Sequence, residues 1–170
     1  ESVLKAALKL DPAPDEIIVV NDGSTDKTAK ILEKFGDQIK IINNESNKGL
    51  AYSRNIGVLN SKNENVASID SDVEVHKEWL KNLFDIKEKY KSAISGGILI
   101  EKLKDENIYN YWRHIHATQN NYGNSDIENL GRPLAGSNTL LSKLAWDKVG
   151  GYDIQYKTNC EDATFCQKLL

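Results

Sequence analysis

The sequence predicts an α/β fold, a mostly parallel sheet flanked by helices, on three observations. Short apolar runs of strand character alternate with segments of helical periodicity. Two of those runs, residues 16–20 and 66–69, lead straight into acidic turns, Asn21-Asp22-Gly23-Ser24 and Asp70-Ser71-Asp72, and open α/β sheets bind ligands beyond the carboxyl ends of their strands. A length of 170 residues suits one domain around a single apolar core.

Taken in order, Val3, Leu4, Ala7 and Leu8 recur at helical spacing, and Pro12 and Pro14 end that helix. Residues 16–20 read as a buried strand entering the turn at 21–24. A helix over 25–35 presents Ala29, Leu32 and Phe35 inward, a strand follows at 39–42, and a polar loop spans 43–48. The helix over 50–59 carries Arg54 and Asn55 near its middle, and the strand at 66–69 ends at the two carboxylates. Trp79, Leu83, Ile86 and Tyr90 share one face of the next helix, and 93–100 returns to strand character. Residues 102–133, rich in Asn and Tyr, read as loops around a short helix at 108–116. Residues 134–141 resume a strand, Gly150-Gly151 mark a turn, and an apolar helical run closes the chain at 163–170.

Composition excludes several classes of function. Lys and Arg number 22 against 25 Asp and Glu, a net charge of -3, with no basic block to track a nucleic acid. No apolar run approaches a membrane span, and no charged-then-apolar leader precedes the first helix. Cys160 and Cys166 lack zinc-site spacing and make no disulfide framework, which points to a reduced, cytoplasmic setting. With Glu1 first, no methionine and an end inside a helical run, the chain reads as a piece of a longer protein, shortened at both termini.

Side chains at i and i+2 of an extended segment share a face, so Asp70 and Asp72 can aim at one small hard cation. The same loop also reads as an acidic strand-to-helix connection with one Asp capping the helix. Asp22 can accept from a base or sugar hydroxyl, or belong to a tight turn and cap with Gly23 and Ser24. Arg54 offers a planar fork to a diphosphate, or a solvated helix face. Glu161-Asp162 suit either the dipole of the last helix or removal of a proton from a hydroxyl. His76, His114 and His116 read as surface or packing residues ahead of metal ligands.

In order, residues 16–26 (Glu16-Ile17-Ile18-Val19-Val20-Asn21-Asp22-Gly23-Ser24-Thr25-Asp26), Asn47-Lys48-Gly49, Ser53-Arg54-Asn55, Asp70-Ser71-Asp72, Gly136-Ser137-Asn138, Gly150-Gly151-Tyr152-Asp153 and Glu161-Asp162 closely resemble the family 2 glycosyltransferases of the GT-A fold. The resemblance implies a Rossmann-like GT-A domain over residues 1–170 that transfers a sugar from a nucleotide-diphosphate donor, a UDP-sugar, to a hydroxyl with inversion. Mn²⁺ or Mg²⁺ would sit on the diphosphate, and the setting would be cell-surface polysaccharide or glycolipid synthesis. By that resemblance Asp22, with Gly23 and Ser24, contacts the base, Arg54 the base or phosphates, Asp70 the ribose and Asp72 the metal, with Asp70 beside it. Asp162 is the general base, and Gly136, Ser137, Asn138 and Glu161 lie on the acceptor side. The acceptor is a saccharide or lipid-linked saccharide, with peripheral association at the inner membrane face through parts outside this chain.

Two departures from the family pattern matter. The family's usual first strand, with its Pro-aromatic-Asn end, is missing, which predicts weak donor binding by these residues alone. The Gln-x-x-Arg-Trp signature of processive synthases is absent, since Gln167 precedes Lys168-Leu169-Leu170, which favours single additions. Two other readings compete: a haloacid-dehalogenase-like phosphatase, disfavoured by Glu74 where Thr or Val is expected, and a non-catalytic transferase-like binding module.

Overall fold

The computed structural model describes residues 1–100, 107–108 and 134–170. Helix α1 (Ser2–Ala7) is followed by β1 (Ile18–Asn21), α2 (Thr28–Glu33), a 3₁₀ turn (Gly36–Gln38) and β2 (Lys40–Asn43). Then come α3 (Leu50–Asn60), β3 (Asn65–Ile69), α4 (Trp79–Tyr90), β4 (Ile94–Gly96), β5 (Asn138–Ser142), α5 (Lys143–Lys148) and α6 (Glu161–Lys168). The predicted helix at 108–116, with His114 and His116, lies outside the described residues.

The predicted elements are present with shifted ends. Helix α2 is shorter than expected because Asp26 Oδ1 accepts the Thr28 N–H at 2.9 Å, which leaves residues 25–27 in a turn. Helix α5 was not anticipated; its start is capped by Ser142 Oγ, which accepts the Ala145 N–H. On α4 the inward stripe is Leu80 and Leu83, while Ile86 and Tyr90 are exposed. Contact with the sheet passes through Trp79, Leu80, Leu83 and Phe84, so the first half of the predicted face, Trp79 and Leu83, packs inward while its second half does not.

The α/β class holds, with one change in strand direction. Strands β1 and β2 pair in parallel, Ile18 opposite Lys40 through Asn21 opposite Asn43. The second sheet has the order β3-β5-β4, and β5 runs antiparallel to both neighbours. Strands β3 and β4 therefore share a direction but do not touch. The alternation of strands and helices carries no information about β5, which enters only after the long stretch following β4.

Strand β5 is the centre of the molecule. Leu140 and Leu141 are each 1% exposed and point to opposite faces. Leu141 joins Ala51 and Val58 of α3, Trp146 of α5, Tyr152 and Phe165 of α6. Leu140 joins Leu10, Leu80 and Leu83 under α4. A third cluster, Leu32, Phe35 and Ile39, seats α1 and α2 on β1 and β2. Helices thus cover both faces of the β3-β5-β4 sheet. Among the described residues no helix is long and apolar enough to cross a membrane.

Leu140→Ala should leave a cavity under α4 and cost about 2–5 kcal/mol. Urea unfolding should show a lower midpoint with an unchanged m-value.

Candidate functional site

The antiparallel direction of β5 brings the site together. Ile69, the last residue of β3, lies opposite Asn138, the first of β5. Residues 136–138 therefore arrive beside Asp70 as β3 leaves the sheet. Helix α3 supplies the other half, because its first turn meets Asp22 and its second meets Asp70.

Asp22 organises the N-terminus of α3 from 26 or more positions away. Its Oδ1 accepts from Asn44 Nδ2 (2.7 Å) and the Lys48 N–H (2.9 Å), and its Oδ2 accepts the Gly49 N–H (2.8 Å). A carboxylate at that position also complements the helix dipole. Burial alone would push the Asp22 carboxyl up; the three bonds, with the nearby Ser53 hydroxyl, outweigh it and hold the carboxyl below its ordinary range. The next free amide, Leu50 N–H, donates to Lys157 O at 2.9 Å. Gly49, at φ +96°, has no room for a Cβ, which would stand 2.8 Å from that same oxygen. The α3 N-terminus is thus closed by protein groups. Gly23 serves the same loop, since a Cβ there would meet the Ser46 carbonyl carbon at 2.6 Å. The Ser24 N–H donates to Asn21 Oδ1.

One turn further, the Arg54 guanidinium lies between two carboxylates. Nη2 donates to Asp70 Oδ1 at 2.9 Å, Nη1 donates to Glu161 Oε1, and Cζ stands 5.9 Å from the centre of the Tyr152 ring. The Arg54 side chain is 8% exposed, Glu161 2% and Asp70 37%. Gly136 completes the enclosure, because a Cβ there would fall 2.5 Å from Nη1. The neighbouring Asn55 holds the Tyr152 backbone in both directions: Nδ2 donates to Tyr152 O (2.7 Å), and Oδ1 accepts the Tyr152 N–H (2.9 Å) and Trp146 Nε1 (3.2 Å). Tyr152 stacks on Phe165 with centroids 4.4 Å apart. Burial raises its phenol well above the ordinary range.

Asp162 follows Glu161 on the first turn of α6. Its Oδ2 accepts the Gly136 N–H at 3.0 Å and its Oδ1 the Ala163 N–H at 2.7 Å. Arg54, Asp70, Gly136, Glu161 and Asp162 therefore form one bonded constellation. Asp72 is exposed in the turn after β3, and His76 is exposed with Nδ1 accepting the Glu78 N–H.

Three residues expected on the acceptor side, Gly136, Asn138 and Glu161, are interior instead, Gly136 because it packs against the Arg54 guanidinium. Glu161 is buried under Arg54, the cation that makes a buried carboxylate tolerable. Asn138 is 5% exposed; its Oδ1 accepts Trp79 Nε1 at 2.6 Å and its Nδ2 donates to Ile98 O. Ser137 remains half-buried beside them. The roles of Asn44, Asn55, Trp79 and Tyr152 were not foreseen. A buried Asn at the start of an apolar run was the one available hint, because such a group must find partners.

Oxygen ligands for a small hard cation are limited, among the described residues, to individual carboxylates. Among the described residues no cluster of three or more His, Cys, Asp or Glu could hold a metal. Mg²⁺-like ions, however, are commonly bound through one or two carboxylates plus substrate phosphates. Asp72, exposed, and Asp70, whose Oδ2 is not engaged by Arg54, have that chemistry.

Comparison with known proteins gives one family. The glycosyl transferase family 2 model matches residues 1–145. The glucosyl-dolichyl phosphate glucuronosyltransferase of Haloferax volcanii is 25% identical over 158 residues, 82% of this chain and 46% of that protein. Among solved structures, Staphylococcus aureus TarS 1-349 in complex with UDP superposes with a TM-score of 0.74 at 22% identity, covering 99% of this chain and 50% of that one. The mannosyltransferase PcManGT from Pyrobaculum calidifontis, in complex with GDP-Man and Mn²⁺, gives 0.71 at 16% identity, covering 98% and 46%. These likenesses show the GT-A fold. The chain spans half or less of the length of each of these proteins.

Asp22→Asn should loosen the α3 N-terminus and lower stability by about 1–3 kcal/mol at neutral pH. Because the folded carboxyl is held low, its contribution is complete above about pH 4 and declines as pH falls through the lower folded value. The gap between parent and variant in urea unfolding should accordingly narrow below about pH 4.

Proposed function

The chain belongs to glycosyl transferase family 2, and from that premise we propose that it transfers a sugar from a nucleoside-diphosphate donor, a UDP-sugar, to an acceptor hydroxyl with inversion at the anomeric carbon. The acceptor is a saccharide or lipid-linked saccharide of cell-surface polysaccharide or glycolipid synthesis, met at the cytoplasmic face of the membrane. The observation that carries this reading is the hydrogen bond from the Gly136 N–H to Asp162 Oδ2. It sets a carboxylate of α6 against the segment that enters beside Asp70, so a group able to take a proton shares the edge where β3 delivers its acidic turn.

Each residue then has a task. Asp22, with one acceptor direction of Oδ2 left over, meets the base; Asp70 meets the ribose; Ser137 faces the acceptor. Asp72, with Asp70, would hold Mn²⁺ or Mg²⁺. When bound, that cation supplies Lewis-acid neutralisation of the diphosphate. Asp162 takes the proton as the acceptor oxygen bonds to the anomeric carbon and the bond to the diphosphate breaks. The bonds to Gly136 and Ala163 fix its direction before the acceptor arrives. TarS was solved with UDP, which supports a uridine donor, and PcManGT with Mn²⁺, which supports the cation. The family match sets aside the phosphatase reading.

Calorimetry on the full-length protein with UDP and GDP, with and without Mn²⁺, followed by nucleoside-diphosphate release from a panel of nucleotide sugars, tests the proposal. Asp72→Ala should abolish the metal-dependent part of UDP affinity; equal affinity of parent and variant in Mn²⁺ would reject that role. Asp162→Asn should lower turnover about 10²-fold or more with donor affinity nearly unchanged. Near-parental transfer by this variant would remove Asp162 as the base. Metal-dependent UDP binding without turnover across the panel and a range of acceptors would instead indicate a binding module.

A further inference from the structure

Arg54 is the one strong cation at the constellation, yet it is poorly placed to touch a ligand. Its side chain is 8% exposed, both terminal nitrogens are engaged by carboxylates, one face lies toward Tyr152, and Gly136 packs against Nη1. What it does hold is informative. Asp70 leaves β3 and Glu161 opens α6, and the residue after Glu161 is Asp162. Arg54 is the group that bonds these two segments to each other.

We propose that Arg54 is a positioning residue, which sets Asp70 directly and Asp162 through Glu161, and is not a ligand of the nucleotide. The inference rests on the sugar-transfer reading above. Glu161 is 2% exposed, and among the described residues Arg54 is its side chain's only hydrogen-bond partner, with Oε2 left unpartnered. A buried carboxylate deprived of its cation must find water, and on the first turn of a helix it cannot do so without carrying its neighbour. Lysine is no substitute, since a single ammonium lacks the planar fork that reaches two carboxylates at once.

Arg54→Lys, Glu161→Gln and the double variant, made in the protein, test this by thermal melting, by the Kd for UDP and GDP with Mn²⁺, and by kcat and KM for nucleoside-diphosphate release from the best donor. Arg54→Lys should lower kcat at least tenfold and Glu161→Gln at least threefold. The double variant should fall within twofold of Arg54→Lys in kcat, because one strut is broken in all three, and Glu161→Gln, which leaves the bond from Arg54 to Asp70 intact, should keep Kd and donor KM within threefold of the parent. Should Arg54→Lys not melt cooperatively, Glu161→Gln, which keeps size and shape, must still show the same split between kcat and KM. Nucleoside-diphosphate binding weakened a further tenfold by Arg54→Lys in a protein that already carries Asp70→Asn would make Arg54 a ligand and overturn the inference. Losses that multiply in the double variant, or that vanish once corrected for the folded fraction, would do the same. A full-length parent that neither binds UDP or GDP nor turns over any donor overturns the sugar-transfer reading, and this inference with it; a competent full-length parent with ligand-like variants overturns this inference alone.

Discussion

The buried guanidinium of Arg54 is the constraint around which the rest of the site is arranged. A cation 8% exposed to solvent needs charged partners, and Asp70 and Glu161 provide them from two segments that share no strand ladder. Such a pair adds little to net stability compared with an apolar packing of the same volume, yet losing one partner is severe. Its contribution is to geometry. The absence of a side chain at Gly136 and the placement of Tyr152 beneath the guanidinium follow from the same need for room and contact.

Helix α3 carries this constraint to the rest of the molecule. Ala51 and Val58 face the cluster shared with Leu141, and Gly57 lies against Val20 of β1, where a Cβ would be 3.8 Å from that side chain. Its first turn is fixed by Asp22, its second by Arg54 and Asn55. The two sheets share no pairing among the described strands, so α3 is the element that places Asp22 relative to Asp70.

The sequence was most legible where a local rule decides the outcome. Short apolar runs marked β1 and β3, and two carboxylates after β3 marked the edge of the candidate site, whereas α1 ends at Ala7, ahead of the prolines expected to stop it. It was least legible where a side chain acts across the chain. That Asp22 would cap a helix beginning at Leu50, or that Asn55 would stand in for a strand partner of Tyr152, depends on tertiary contact alone. The same holds for Glu161 and Asp162, where charge and spacing mark a helix start but do not say which carboxylate goes inside. The direction of β5 belongs here too, because no short connection constrains it. Gly136 shows the difficulty in reverse: a glycine in a motif invites a ligand, whereas this one accommodates an arginine.

The loop leading into α6 has its length set by another element. Lys157 is tied to Leu50, and Glu161 to Arg54, so both anchors lie on α3 one turn apart, about 6 Å along its axis. Thr158, Asn159 and Cys160 bridge the interval, with Cys160 in the left-handed region at φ 67° to redirect the chain. Successive residues on a helix point about 100° apart, so Glu161 turns inward and Asp162 does not. Deleting one residue from that bridge would present the shorter carboxylate of Asp162 to Arg54 and put Ala163 where Asp162 stands, whereas inserting one would put Cys160 and Glu161 in those two places. The bridge is therefore constrained in length more tightly than in composition.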